Sequence, residues 1–109
     1  MRVLVAMILM AAVVMYSAPL FAADAAAGKD LYAKKCASCH GAAGEGKDSV
    51  AKMFKVEMKP LASKEVQSIS DADMKKTILE GKDKMKGIKD IDAKAADDVV
   101  AYVRTLAKK

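Results

Sequence analysis

Hydrophobic residues form one continuous run near the start of the chain and only short, spaced groups after it. The run covers residues 3–15, follows Arg2 and precedes a stretch of small residues at 17–23. A positive start, an apolar centre and small residues are the three parts of a secretory signal. This pattern predicts a cleaved signal peptide over 1–23, export to the periplasm, and one domain over 24–109. Because the segment carries no charge after Arg2 and is nearly long enough to span a bilayer, an uncleaved membrane anchor is the alternative.

The apolar groups after residue 24 have the spacing of helices. Asp24 is a candidate N-cap, and the apolar residues that follow it predict a helix over 25–35. Asp92 is a second candidate N-cap, placed before a longer predicted helix over 93–107. This second helix carries the clearest apolar stripe of the chain, whose members are Ala96, Val99, Val100, Val103 and Leu106.

Between these two helices the pattern is weaker. Residues 41–48 contain three glycines and no apolar anchor, which predicts a loop. Residues 50–54 predict one or two helical turns, and Ser63 is a candidate cap for another short helix. The sequence SDAD at 70–73 has the form of a capping box and predicts a helix that ends at Gly81. No segment alternates in the manner of a strand, so the domain is predicted to be all-α.

The predicted domain contains few large apolar side chains, and the chain has no tryptophan. Small domains bury a small share of their surface, so side chains alone give them a weak core. The composition therefore predicts that something other than aromatic side chains fills the centre.

Charge is modest and mostly dispersed. The net charge is +5, and it falls to +4 when Arg2 is removed with the signal peptide. Lysines and acids are interspersed without a block of like charge, so nucleic-acid binding is not indicated. One group of basic residues is denser than the rest and favours the approach of an acidic partner. It consists of Lys82, Lys84, Lys86 and Lys89.

The sequence CASCH at 36–40 brings both cysteines of the chain close to its only histidine. If the first helix continues into this stretch, Cys36, Cys39 and His40 have i, i+3 and i+4 spacing and project to one side. Two thiols can each add to a vinyl group while the imidazole reaches a central iron. C-x-x-C-H is the sequence form of covalent haem attachment.

Three other kinds of site use the same residue types. A thioredoxin-like redox dithiol lies at a strand-to-helix junction, and the sequence predicts no strand. A structural zinc site needs four ligands, whereas the chain has two cysteines and one histidine. A plain disulfide between Cys36 and Cys39 would close a very short loop and stabilise little. Covalent haem attachment is therefore the favoured interpretation.

Three segments resemble the class I c-type cytochromes, which are small monohaem electron carriers, and in particular short bacterial periplasmic forms. The segments are GKDLYAKKCASCHG at 28–41, SDADMKKTILEGKDKMKGI at 70–88 and AADDVVAYVRTLAKK at 95–109. The resemblance implies a cytochrome c fold of three to five helices around one covalently attached haem c. It also implies thioether bonds at Cys36 and Cys39, and His40 as the proximal ligand of the iron.

The resemblance further implies that the first and last helices cross. Gly28 would allow the first helix to approach residues 99–102 closely, with Tyr32 packed nearby. The proximal imidazole would donate its other N–H to a backbone carbonyl between residues 56 and 60.

The iron ligand opposite His40 is expected to be a methionine, because the chain has no second histidine. The candidates within 24–109 are Met53, Met58, Met74 and Met85. Met74 is in register with Ile78 and Met53 has helical neighbours, so both are predicted to pack in the core. Met85 has no periodic partner and lies between two glycines that allow a loop to approach a porphyrin. With the family match, this predicts Met85 as the distal ligand and Met58 as its rival.

One residue departs from the family pattern at this position. Members often have proline after the distal methionine, whereas this chain has Lys86. Proline would fix φ and remove a backbone donor, so its absence changes what determines the geometry of the loop.

An iron with both axial positions filled is suited to passing electrons. The predicted function is therefore a monomeric electron carrier, not an enzyme, that cycles between Fe(II) and Fe(III). Its predicted partners are redox proteins with acidic surfaces and, in transient contact, membrane redox complexes. The alternative is a haem c enzyme or gas sensor whose sixth ligand is labile.

Overall fold

The computed structural model describes residues 23–107. Within them the chain forms six helices and one two-stranded antiparallel hairpin. In chain order these elements are α1 (Ala25–Lys35), α2 (Ala37–His40), α3 (Asp48–Phe54), α4 (Lys64–Gln67), α5 (Asp71–Glu80), β1 (Gly81–Lys82), β2 (Met85–Lys86) and α6 (Ala93–Leu106). The predicted signal peptide covers residues 1–23, of which all but Ala23 lie outside the described part, and it stays a prediction. No helix of the described part is long and apolar enough to cross a membrane.

Four helices begin where the sequence placed their caps. Asp24 accepts hydrogen bonds from the amides of Ala26 and Ala27 at 2.9 and 3.2 Å. The other three caps each accept one bond from the amide three residues on. The Val66 amide donates to Ser63 Oγ at 3.3 Å, the Asp73 amide to Ser70 Oγ at 3.1 Å, and the Ala95 amide to Asp92 Oδ1 at 2.8 Å. These side chains satisfy amides that have no partner inside the helix, which is why the boundaries could be predicted.

The first and last helices cross at Gly28, as predicted. A Cβ atom at this position would overlap the carbonyl oxygen of Asp98 and lie 2.5 Å from its carbonyl carbon and 3.0 Å from the Val99 nitrogen. Only glycine therefore lets the two backbones approach this closely. One turn further along, the rings of Tyr32 and Tyr102 pack with centroids 5.2 Å apart and a tilt of 54°.

The core lies between α6 and the two helices packed against it. The predicted stripe of α6 is buried in full, and Tyr32 of α1 and Met74 and Ile78 of α5 pack against it. The core prediction for Met74 is therefore confirmed. The prediction for Met53 is wrong, because its side chain is 68% exposed on α3. Helix α3 is short and contains no buried residue, so helical spacing alone did not bring Met53 into the core.

Asp98 is a charged residue in this core, with an exposure of only 5%. Its carboxylate accepts a bond from the Asp24 amide at 2.7 Å and from Lys94 Nζ at 2.7 and 2.9 Å. Burial by itself raises the pKa of Asp98, but these bonds outweigh burial and hold that pKa below its usual value. The carboxylate thus ties the start of α1 to α6.

Arg104 holds the segment that leads into α5. Its guanidinium donates to the carbonyls of Gln67 and Ile69, at 2.9 and 2.5 Å, and to Asp71 Oδ1 at 2.7 Å. The Gln67 side chain in turn donates to the Leu61 carbonyl at 2.8 Å. The loop before α4 and the start of α5 are therefore both fixed relative to α6.

The hairpin after α5 was not predicted. Gly81 ends α5 with φ of +85°, as expected, but the chain then pairs Gly81 with Lys86 and Lys82 with Met85. Strands of two residues are too short to show an alternating pattern, so hydrophobic periodicity could not predict them. The all-α class is otherwise confirmed.

Replacing Gly28 with alanine tests the helix crossing. Alanine normally stabilises a helix interior relative to glycine, by about 1 kcal/mol. Here its Cβ would overlap backbone atoms of α6, so we expect Gly28→Ala to lower the free energy of unfolding by about 1–3 kcal/mol. Chemical denaturation followed by circular dichroism measures this quantity. Lys29→Ala, at the next and exposed position, is the control, and equal stability of the two variants would contradict the proposed contact.

Candidate functional site

A cavity of about 700 Å³ lies beside the core. Its walls come from the end of α1, from α2, α3, α4, α5, α6 and the hairpin, and from the loop before α4. Most of its lining is apolar, including Val50, Leu61, Ile78, Val99 and Val103. Its volume lies within the range of roughly 300–1,000 Å³ that is typical of cofactor sites.

Both cysteines and the histidine of CASCH line this cavity. Helix α1 ends at Lys35, yet Cys36 keeps a right-handed helical conformation and α2 follows directly. The His40 amide donates to the Cys36 carbonyl at 2.9 Å, which continues the helical bonding across the motif. The prediction that the three side chains face the same way is confirmed.

The state of the two thiols argues against the competing kinds of site. Both cysteines are free, with Cys36 buried and Cys39 exposed. Burial, with a further contribution from Cys39, raises the pKa of the Cys36 thiol to about 11. A redox dithiol needs the opposite, a lowered pKa that yields a reactive thiolate. Among residues 23–107, no three His, Cys, Asp or Glu side chains are grouped so as to bind a metal ion.

His40 has a buried nitrogen without a partner. Within the described part of the chain, its Nδ1 atom is buried and makes no hydrogen bond. The expected bond to a carbonyl between residues 56 and 60 is therefore not formed in this structure. Burial also lowers the pKa of His40, which favours the neutral imidazole that binds metals. A neutral imidazole in an apolar cavity suits an iron ligand.

Hydrogen bonds to backbone carbonyls fix the chain around His40. The Gly46 amide donates to the His40 carbonyl at 2.6 Å, and the Lys47 amide donates to the Cys39 carbonyl at 3.2 Å. The Tyr32 hydroxyl donates to the Gly41 carbonyl at 2.6 Å, and burial raises the pKa of Tyr32 to about 12. This last bond was not predicted from the sequence, although a buried tyrosine usually needs a partner for its hydroxyl.

Three of the four candidate methionines line the cavity, and they come from different walls. Met74 belongs to α5 and the core, Met85 comes from β2, and Met58 comes from the loop before α4. A Cβ built on Gly46 would lie 3.2 Å from the Met58 Cβ and 3.3 Å from its carbonyl oxygen. The Gly46 amide is hydrogen-bonded to the His40 carbonyl. Since Met58 lies against Gly46, it adjoins the wall that carries the histidine. Met85 is on a separate element.

The rim of the cavity combines lysines with exposed apolar side chains. Lys82, Lys84 and Lys86 line the cavity, whereas Lys89 does not. Within residues 23–107 these lysines form no ion pair. Phe54 and Ile69 also line the cavity, with 41% and 39% of their surface exposed. The exposed part of the lining therefore combines lysines with apolar surface, and it also contains the acidic residues Glu57 and Asp83.

These residues fit a covalently attached haem. Two free thiols and an imidazole in C-x-x-C-H order face one apolar cavity, and a thioether from another element reaches it as well. The helical fold and this set of side chains define the class of small c-type cytochromes.

Comparisons with known proteins give the family. The family described as cytochrome c oxidase, cbb3-type, subunit III matches residues 23–103, and the chain belongs to it. The chain is similar to the solved structure of KustC0563, a c-type cytochrome, with 27% sequence identity and a TM-score of 0.63. The match covers 72% of this chain and 95% of the KustC0563 chain. No curated protein matches the chain. The protein therefore carries covalently bound haem c and takes part in haem-based electron transfer.

Proposed function

We propose that the protein is a monohaem electron carrier of the periplasm, with thioether bonds at Cys36 and Cys39 and iron ligation by His40 and Met85. The observation that carries this proposal is the placement of all three CASCH side chains on one apolar cavity. The chain has no further cysteine, so a single haem is the number it can attach.

Each residue has a separate task in this site. Haem c, when bound, supplies reversible one-electron chemistry between Fe(II) and Fe(III). His40 offers a neutral imidazole from a wall that hydrogen bonds fix in place. Met85 offers a thioether, and a thioether favours Fe(II) and raises the reduction potential relative to a second imidazole. The apolar side chains of Ile78, Val99 and Val103 line the same space and would shield a bound haem from water.

Met85 is preferred over Met58 as the iron ligand because the two residues belong to different walls of the cavity. Residues that would hold a haem iron together with His40 would need to come from a different wall of the cavity. Met58 adjoins Gly46, which is bonded to the backbone of His40, whereas Met85 comes from the hairpin. The backbone arrangement therefore supports Met85. A protein that fills both axial positions leaves no open site on iron, which favours an electron carrier over an enzyme.

The lysines of the rim define the proposed partner. Lys82, Lys84 and Lys86 are exposed and unpaired within the described residues, and apolar Phe54 and Ile69 lie nearby. Such a surface suits brief contact with an acidic redox protein, since transient interfaces of this kind are small. Residues 1–23 predict export. After export, the protein would act as a monomer.

The first test is haem attachment. After export in a host that attaches haem c, we expect the mass to exceed that of the processed polypeptide by one haem, with a matching pyridine haemochrome spectrum. The double variant Cys36→Ser/Cys39→Ser should carry no covalent haem, because no thiol remains to form a thioether. Ser38→Ala, within the same motif, should attach haem normally. A colourless wild-type protein with the mass of the bare polypeptide would refute the proposal.

The second test concerns the sixth ligand. Met85→Ala should abolish the sulfur-to-iron charge-transfer band of the oxidised protein and lower the reduction potential by roughly 0.1–0.3 V, part of the ~0.8 V that axial ligands control. Met58→Ala and Met53→Ala are matched controls that should keep the band. Loss of the band in Met58→Ala alone would assign the ligand to Met58. A wild type without the band that binds CO rapidly when reduced would instead indicate an enzyme or gas sensor.

The third test concerns the lysines. Replacing Lys82, Lys84 and Lys86 with glutamate should slow the oxidation of the reduced protein by anionic hexacyanoferrate(III) about tenfold at low ionic strength. The control replaces three exposed lysines that do not line the cavity, Lys29, Lys64 and Lys76, with glutamate, so that both variants change the net charge equally. Stopped-flow rates across a range of salt concentrations measure the effect, which should shrink as screening increases. Equal slowing in both variants would show that only net charge matters.

A further inference from the structure

The hairpin that carries Met85 is built around two glycines. Lys86 follows Met85 and cannot restrict the backbone as a proline would. We propose that Gly81 and Gly87 are positioning residues that hold the Met85 backbone against the end of α5. The Met85 thioether is then in position to bind iron before the bond to iron forms. This inference rests on the proposed role of Met85 as the sixth ligand.

Gly81 allows the two strands to come together. It has φ of +85°, and a Cβ on it would lie 2.5 Å from the Met85 carbonyl oxygen and 2.6 Å from the Gly87 nitrogen. Both atoms belong to the backbone and cannot rotate away as the end of a side chain can. Any other residue at this position would therefore separate β2 from β1.

Gly87 allows the hairpin to rest on α5. A Cβ on Gly87 would overlap the Leu79 carbonyl oxygen and lie 2.7 Å from the Glu80 carbonyl carbon. These atoms form the last turn of α5, whose inner face is anchored in the core by Met74 and Ile78. The helix end is thus a fixed support, and the residue two places after Met85 lies directly on it.

One hydrogen bond fastens the chain just beyond this contact. The Ile88 amide donates to the Ile78 carbonyl at 2.8 Å. Met85 is therefore held on its N-terminal side by pairing with Lys82, and on its C-terminal side by Gly87 and Ile88. A segment that is already ordered loses less conformational entropy when its side chain binds, so the methionine competes better with other ligands.

Ligand competition in the haem-loaded protein tests the proposal. In Gly87→Ala we expect added imidazole to replace the methionine about tenfold more readily, since overpacking a rigid contact displaces the backbone that carries Met85. Gly81→Ala should act in the same direction. The readouts are the apparent affinity of the oxidised protein for imidazole and the strength of its sulfur-to-iron band.

Val100→Ala is the matched control. Val100 is buried in the core, does not line the cavity, and should destabilise the whole fold when shortened. Its imidazole affinity should stay within about twofold of wild type, because the shortened side chain belongs to the core and does not line the cavity that Met85 reaches. The proposal is overturned if Gly87→Ala keeps the wild-type affinity and band, or if Val100→Ala changes them as much.

A second measurement does not depend on the glycine variants folding. In Met85→Ala with haem attached, hydrogen exchange of the Ile88 amide should remain as slow as in wild type, because the contact with α5 forms without the iron bond. Fast exchange there would show that ligation orders the hairpin, which is the reverse of the proposal. Failure of the proposed function is seen separately, as a wild type without haem or without the sulfur-to-iron band.

Discussion

The close crossing of α1 and α6 at Gly28 is the contact on which the other parts of the structure depend. Because the helices nearly touch there, Tyr32 and Tyr102 meet one turn later and α1 delivers CASCH to the cavity. The same crossing turns Val99 and Val103 of α6 toward that cavity. Gly28 thus sets the separation between the wall that carries the cysteines and the apolar wall formed by Val99 and Val103.

Much of the fold could be predicted because its signals are local. Asp24, Ser63, Ser70 and Asp92 mark helix starts through bonds to amides two or three residues away, and such bonds depend little on the rest of the molecule. The α6 stripe is equally local, since its spacing alone defines one face. The same holds for CASCH, because helical spacing fixes the relative directions of three side chains.

Other features were missed because they depend on distant partners. The hairpin has strands of two residues, and its support is the last turn of α5, which no short-range pattern encodes. Met53 has the helical neighbours of a core residue, yet it is exposed on α3 because no element within residues 23–107 covers its side chain. The bond from Tyr32 to Gly41 joins α1 to the loop after His40 and likewise required the folded chain.

The two sides of the site are held by different means. On the histidine side, the Gly46 amide donates to the His40 carbonyl, and bonds from Lys47 and Tyr32 fix the carbonyls of its two neighbours, Cys39 and Gly41. That wall continues α1. On the methionine side, the support is steric, since Gly81 and Gly87 let backbone segments touch. An electron carrier gains when its ligands keep their positions as the iron changes charge, because every displacement adds to the barrier. Two independent supports serve this purpose better than one, since a fluctuation of the hairpin need not disturb His40.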